Sequence, residues 1–290
     1  MSQPERTEPW TIGAVVKWAA DDFRARGIDS PRLDAEVLLA HCLATSRTQL
    51  FIDMQKPLAA PELARFREMV RRRRNREPVA YLRGEREFFG RNFRVDARVL
   101  VPRPDTEALV EVALARTAHI SLSMRALDLC TGSGCVAITL GRERPTARVI
   151  ATDTSADALA VARENALRLG AYNVAFGQAD LFEGIEGEFD VITANPPYIP
   201  SAEIATLAPD VALHEPRLAL DGGTDGLVLV RRILEGAARR LAPGGTLAME
   251  IGAGQADEVA QLFGQHGFVD VARARDYARI ERVVHGIAPR

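Results

Sequence analysis

Residues 189–198 constrain the chain most. Phe189-Asp190-Val191-Ile192-Thr193-Ala194 is a short apolar, β-branched run that reads as a buried strand, and it ends at Asn195-Pro196-Pro197-Tyr198. Two successive prolines cannot donate to a sheet ladder, so the strand must stop there and the backbone must stiffen. Pro196 also pushes Asn195 out of the helical region. The outcome is a rigid turn at a strand's C-terminal end, carrying one carboxamide and one aromatic ring. In open α/β sheets ligands bind at that end.

A planar amino nitrogen, in an amide or in adenine, has its lone pair delocalised and is a poor nucleophile. Two fixed acceptors, the Asn195 side-chain oxygen and the Pro196 carbonyl, can hold its N–H bonds and aim the lone pair at an electrophile, while Tyr198 stacks on the flat substrate. The competing reading is a solvated loop that caps a strand, the usual meaning of an Asn-Pro pair. The flanking strand, second proline and aromatic ring favour chemistry, provided a methyl donor binds upstream.

The pattern upstream suits such a site. From Arg125 strands and helices alternate, the signature of a parallel α/β sheet. Ala126 to Leu129 is the first strand and Cys130-Thr131-Gly132-Ser133-Gly134 a glycine turn, with a helix from Cys135. Ala147 to Ala151 is a second strand ending at Asp153. Ser155 caps a helix closed by Gly170, and a third strand at Val174 to Phe176 leads to Asp180-Leu181. After Asn195 come a helix over Gly226 to Leu241, a turn at Pro243-Gly244-Gly245, a strand from Thr246 to Ile251, a helix from Gln255 to Gly264 and two strand-like runs, Val269 to Ala272 and Ile280 to His285.

Gly132 and Gly134 let the backbone approach a ligand closely. Asp153 stands where a carboxylate accepts both ribose hydroxyls. Asp180 and Leu181 can flank an adenine, and Asp128 can hold a cationic amino group. A dinucleotide-binding fold shares the glycine turn, but Ala137 replaces its third glycine, and a nicotinamide enzyme needs no Asn-Pro-Pro-Tyr turn.

Residues 11–76 read as helical throughout. Thr11 caps a helix ended by Gly27, and Ser30-Pro31 caps and starts a second. A third covers Thr48 to Met54, and a fourth runs from Pro61 into Arg71-Arg72-Arg73-Arg74-Asn75-Arg76. That run either complements the helix dipole or faces an acidic partner. Pro78 breaks the helix, and Gly84 to Val101 resembles a β-hairpin between two domains. Asp105 is the expected N-cap of a helix over Ala108 to Ala118. The expected division is a helical bundle for partner recognition over 1–83, a hairpin linker over 84–103 and a catalytic domain over 104–290.

At 290 residues, 47% hydrophobic and 26% charged, the chain is long enough for two domains. A net charge of −2 argues against a general nucleic-acid binder. Three cysteines without a CxxC pair speak against disulfides or zinc and for a reducing cytoplasm. The five histidines have no metal-ligand spacing, so no metal is expected. Met1 to Trp10 lacks a signal-peptide core, and no run is long enough to span a membrane.

Taken together, Asp128 to Gly134, Asp153 and Asn195-Pro196-Pro197-Tyr198-Ile199-Pro200 resemble S-adenosylmethionine-dependent amino-group methyltransferases. The chain is most similar to the protein-(glutamine-N5) methyltransferases that modify peptide-chain release factors, the HemK/PrmC family. Arg103 to Glu107, Glu85 to Gly90 and Glu215 to Leu220 resemble further segments of that family. The resemblance implies a Rossmann-like class I methyltransferase sheet, with a small N-terminal helical bundle joined by a β-hairpin. It also implies methyl transfer to the glutamine of a release factor's Gly-Gly-Gln loop.

Carried over, Cys130 to Gly134 and Asp153 contact S-adenosylmethionine, with Asp128, Asp180, Leu181 and Asn195 beside them, and Asn195 to Tyr198 hold the glutamine. At Leu181 some members carry an aromatic residue against the adenine. The rivals are a glutamine methyltransferase acting on a ribosomal protein, an adenine methyltransferase on DNA or RNA, and a non-catalytic cofactor-binding or NAD-binding module.

Overall fold

The computed structural model describes residues 9–120 and 122–288. The expectation of no signal core over Met1 to Trp10 therefore falls mostly outside the described residues. The chain divides into two compact units, 1–84 with 209–214, and 85–208 with 215–290.

The first unit is helical: α1 (Ile12–Ala25), α2 (Pro31–Cys42), α3 (Arg47–Ile52), α4 (Ala60–Arg74) and α5 (Val79–Arg83). Thr11 Oγ1 accepts from the backbone of Ala14 as expected of an N-cap. Ser30 makes no side-chain cap, so Pro31 alone marks the start of α2. Helix α5 was not foreseen, because Pro78 both ends one helix and starts another at its N-cap. Ile12, Val15, Val16, Ala19 and Phe23 bury against Leu38, Leu39, Phe66 and Val70.

The arginine run proves to be internal stitching. Arg71 pairs with Glu68, Arg72 with Glu77 and Arg74 with Asp22, and Arg76 donates to the carbonyls of Arg26 and Gly27. Arg73, only 5% exposed, lies between Asp34 at 2.8 Å and Asp210 at 2.7 Å. Asp210 belongs to a six-residue helix, α9 (Pro209–His214), whose His214 Nε2 stands 2.7 Å from the Asn75 carbonyl oxygen. A buried pair of this kind costs about 3–5 kcal/mol to break, since it leaves a charge without compensation.

The second unit opens on the hairpin β1 (Glu85–Phe88) and β2 (Arg91–Arg94), turned at Phe89 and Gly90, both at positive φ. Next comes a 3-10 turn, Pro104–Thr106, leading into α6 (Glu107–Arg116), so Asp105 is no N-cap; its carboxylate pairs with Arg282. The sheet then builds from β3 (Arg125–Leu129), β4 (Arg148–Asp153), β5 (Val174–Gln178), β6 (Phe189–Ala194), β7 (Leu241–Glu250), β8 (Val269–Arg275) and β9 (Glu281–Ile287). Its order is β5-β4-β3-β6-β7-β9-β8, with only β9 reversed. Helices α7 (Cys135–Glu143), α8 (Ala156–Leu169), α10 (Val228–Ala237) and α11 (Ala256–Gln265) join the strands.

Two differences from expectation share a cause. Pro243-Gly244-Gly245 does not turn the chain but lies within β7, where the register against β6 shifts. A bulge lets an edge-type sequence stay in a central strand. Helix α10 is correspondingly shorter than expected. The strand order reverses direction beside β3: β4 and β5 extend one way, and β6 and β7 the other. That switch point opens a crevice at the C-terminal ends of β3 and β6.

Candidate active site

The crevice holds a cavity of about 460 Å³, in the range for a small-molecule ligand. Asp128, Cys130, Thr131, Gly132, Ser133, Asp153, Asp180, Leu181, Asn195 and Pro197 line it. The structure thus brings together four strand tips that lie far apart in sequence. Gly134, Pro196 and Tyr198 do not line it.

The glycine turn is held from several sides. Gly132 N donates to Asp153 Oδ2 at 2.9 Å, and Ser155 N donates to Oδ1 at 2.9 Å. Each Asp153 oxygen therefore keeps a lone pair for a further donor. Burial raises the Asp153 pKa, while the backbone donors oppose the shift. Gly134 sits at φ +80°, and a Cβ there would fall 2.8 Å from Ile138 Cδ1 and 3.2 Å from Ala162 Cβ. Its role is to let α7 and α8 approach. Asn165, fully buried on α8, donates to the Ser133 carbonyl and exchanges hydrogen bonds with the Arg94 backbone, tying the hairpin to the turn. Cys130 and Leu181 are non-glycine residues at φ +56° and +53°. Left-handed backbone at two strand tips is strain of the kind that concentrates at functional sites.

Asp128 is buried, and its two oxygens accept from Thr131 Oγ1 at 2.6 Å and Thr193 Oγ1 at 2.7 Å. Desolvation lifts its pKa to about 6 despite both hydroxyls. It clamps the tips of β3 and β6 rather than standing free for an ammonium group. Asp180 is engaged as well: Arg232, another cavity residue, donates to it at 2.9 Å across a half-exposed rim. Nothing in the glycine-turn or Asn-Pro-Pro-Tyr pattern points to Arg232, which comes from α10.

The Asn195 turn is fixed largely through backbone. Ile199 and Asp221 form a bridge, with Ile199 N donating to the Leu220 carbonyl and Gly222 N to the Ile199 carbonyl. Gln255 Nε2 donates to the Tyr198 carbonyl at 3.0 Å. A Cβ on Gly222 would lie 2.7–2.8 Å from Gly226 O, Pro197 O and Tyr198 Cα, all backbone atoms that cannot swing away. Gly222→Ala should therefore displace the turn. Misplacement by about 1 Å costs on the order of 10²-fold in rate, and overpacking about 1–3 kcal/mol of stability. Single-turnover rates and thermal denaturation check both; a variant with unchanged rate would show that the turn tolerates the shift.

Asn195 Nδ2 donates to Thr106 Oγ1 at 3.3 Å, which leaves Oδ1 as the carboxamide acceptor. Tyr198, expected to stack on a flat substrate, is instead placed with its hydroxyl donating to Glu250 Oε1 at 3.4 Å. Thr106 and Glu250 are 2% and 1% exposed. Glu250 was missed, although a lone carboxylate closing the apolar run Thr246-Leu247-Ala248-Met249 was a visible signal. Burial raises its pKa to about 7. Arg103 also reaches the cavity wall, donating to Glu215 Oε1 at 2.5 Å, while Glu215 Oε2 accepts from Val101 N. Among the described residues, no group of three His, Cys, Asp or Glu is arranged to hold a metal, and no helix is long and apolar enough to cross a membrane.

A mostly parallel seven-stranded sheet, with one reversed strand and a glycine-turn cavity at its switch point, is the arrangement of the class I methyltransferases. A methyltransferase structure from Pyrococcus furiosus shares the fold, with a TM-score of 0.50 at 18% identity over 80% of this chain and all of that one. The PrmC N-terminal domain family matches residues 14–84 and the methyltransferase small domain family residues 105–223. The release factor glutamine methyltransferase of Geobacter sulfurreducens is 43% identical over 97% of this chain and 98% of its own length. That of Cereibacter sphaeroides is 45% identical over 95% and 98%. The chain belongs to the release factor glutamine methyltransferase family.

Proposed function

We propose that this protein transfers a methyl group from S-adenosylmethionine to the side-chain amide nitrogen of the Gly-Gly-Gln glutamine in a peptide-chain release factor. One observation carries the reading: the glycine turn, Asp153 and Asn195 face one cavity of ligand size. The cofactor suits this lining, because Asp153 keeps acceptor capacity for ribose hydroxyls and Leu181 and Ala179 offer an apolar wall. When bound, the cofactor supplies a sulfonium-activated methyl group.

The chain's own contribution is alignment. Asn195 Oδ1 and the Pro196 carbonyl accept the two N–H bonds of the glutamine, turning the nitrogen lone pair out of conjugation and toward the methyl carbon. Pro197 walls the approach, and Tyr198 fixes the turn from behind. Proximity and alignment of this kind supply up to about 7–11 kcal/mol of barrier reduction, so no strong base is required. The methylated nitrogen is acidic and gives its proton to a nearby acceptor or water. The helical unit, which contributes no residue to this lining, selects the protein partner.

Incubation with methyl-labelled cofactor and a release factor, a ribosomal protein or DNA, each alone, tests the reading. Label should enter the release factor at its glutamine. Label only in the ribosomal protein or the DNA would replace the proposal with one of its rivals.

A further inference from the structure

Behind Asn195 lies a buried polar chain to which methyl transfer as described assigns no role. Asn195 Nδ2 donates to Thr106 Oγ1. The Thr106 hydroxyl in turn hydrogen-bonds the Glu250 carboxylate and favours its charged form, and the Tyr198 hydroxyl does the same from the other side. Glu250 Oε2 is otherwise unpartnered among the described residues.

The two orientations of a carboxamide have nearly the same shape, and only hydrogen bonding separates them. An ionised carboxylate can only accept. It therefore commits the Thr106 proton to itself and leaves the Thr106 oxygen as an acceptor, so Asn195 must turn its NH₂ to Thr106 and present Oδ1 to the cavity. A protonated Glu250 can donate instead; the Thr106 proton is then free for Asn195 Oδ1, and the amide turns its NH₂ outward. Outward Oδ1 suits the N–H bonds of glutamine and repels a carboxylate, whereas outward NH₂ suits a carboxylate.

We propose that Glu250, acting through Thr106, is a positioning residue that sets the orientation of the Asn195 carboxamide and thereby selects glutamine over glutamate at the target position. The inference rests on the function proposed above. The groups around Glu250 define its pH response. Arg282, held by Asp105 at 3.1 Å and Asp276 at 3.1 Å, favours the charged form, while Asp105 opposes it. The Tyr198 hydroxyl contacts it, and the buried Cys135 thiol lies within its field. With burial holding its pKa near 7, transfer should rise as pH passes through that value.

The test uses the full-length protein and its Thr106→Val, Thr106→Ser and Glu250→Gln variants, with release factor carrying either the target glutamine or glutamate there. Thr106→Val and Glu250→Gln should each lower kcat by on the order of 10- to 100-fold, with the Kd for S-adenosylmethionine unchanged; Thr106→Ser should restore most of the rate. Glu250→Gln should lose the pH limb near 7. It should also denature at a higher temperature than the parent above pH 7, since it no longer buries a charge, so slower turnover there is not lost folding. The ratio of Kd values for glutamate and glutamine release factors, measured without transfer in the presence of S-adenosylhomocysteine, should collapse in both variants. Parent-like kcat and Kd ratio in the variants, or loss that Thr106→Ser fails to restore, overturns this inference alone when the parent labels the release factor. A parent that leaves the release factor unlabelled overturns the proposed function and this inference with it.

Discussion

Asn195→Ala should stay folded, bind S-adenosylmethionine and release factor nearly as well as the parent, and transfer methyl groups about 10²–10³ times more slowly. The asymmetry follows from when the interaction matters. In the ground state the target amide is planar and can be held by many contacts, but the Oδ1 contact gains strength as the nitrogen rehybridises toward the methyl carbon. Its loss therefore falls on kcat rather than KM. Asn195 also anchors to Thr106, whose hydroxyl keeps Glu250 as a partner, so deletion leaves no buried group wholly unpaired. Asn195→Asp keeps an acceptor but places a second negative charge near buried Glu250 and lacks the N–H that Thr106 accepts, so intermediate activity is expected. Single-turnover transfer with both ligands saturating measures the effect. A near-parental rate in Asn195→Ala would refute the aligned-lone-pair reading and leave the Pro196 carbonyl as the local acceptor.

The second large effect is on cofactor affinity. Charge-assisted hydrogen bonds from two ribose hydroxyls are worth about 1.5–3 kcal/mol each, so Asp153→Ala should weaken S-adenosylmethionine binding by one to several orders of magnitude, at about 1.4 kcal/mol per tenfold. Asp153 also accepts from Gly132 and Ser155, so the substitution frees the glycine turn as well as deleting the ligand contact. Asp153→Asn keeps the shape and one acceptor and should lose less. Calorimetric titration alongside a melting curve separates the two contributions. Unchanged affinity in a folded Asp153→Ala protein would remove Asp153 from the cofactor site.

Local chemistry made the strand tips readable. Glycine at the first tip, aspartate at the second and a double proline at the fourth each impose a backbone or a charge that a short stretch reveals, and all line one cavity. What escaped the reading depends on tertiary register. Arg232 meets Asp180 only because α10 crosses the mouth of the cavity, and Glu250 stands behind Asn195 only because β7 lies beside β6. Tyr198 illustrates the same limit: the residue type suggested stacking, but its hydroxyl found a buried carboxylate that no local pattern could place. The arginine run misled in the opposite direction. Its partners Asp22, Asp34 and Asp210 are scattered over nearly 190 residues of chain, so six basic-looking positions resembled a free surface when they were a set of internal ties.

The hexapeptide Pro209–His214 makes the helical unit a discontinuous piece of chain. The polypeptide crosses between the units three times, at 84, 208 and 214, so the residues from Ile199 to Leu220 form a strap threaded through the other body. One foot of that strap is the Ile199–Asp221 bridge beside Asn195, and Glu215, which grips Val101 and Arg103, follows directly on the hexapeptide. Cutting the chain before residue 85 would not yield a clean catalytic half. It would strand Asp210 without Arg73 and His214 without Asn75, and so slacken a loop whose ends frame the cavity. The contribution of the helical unit to substrate choice is therefore to be read from point substitutions on its exposed face, because its removal also changes the site.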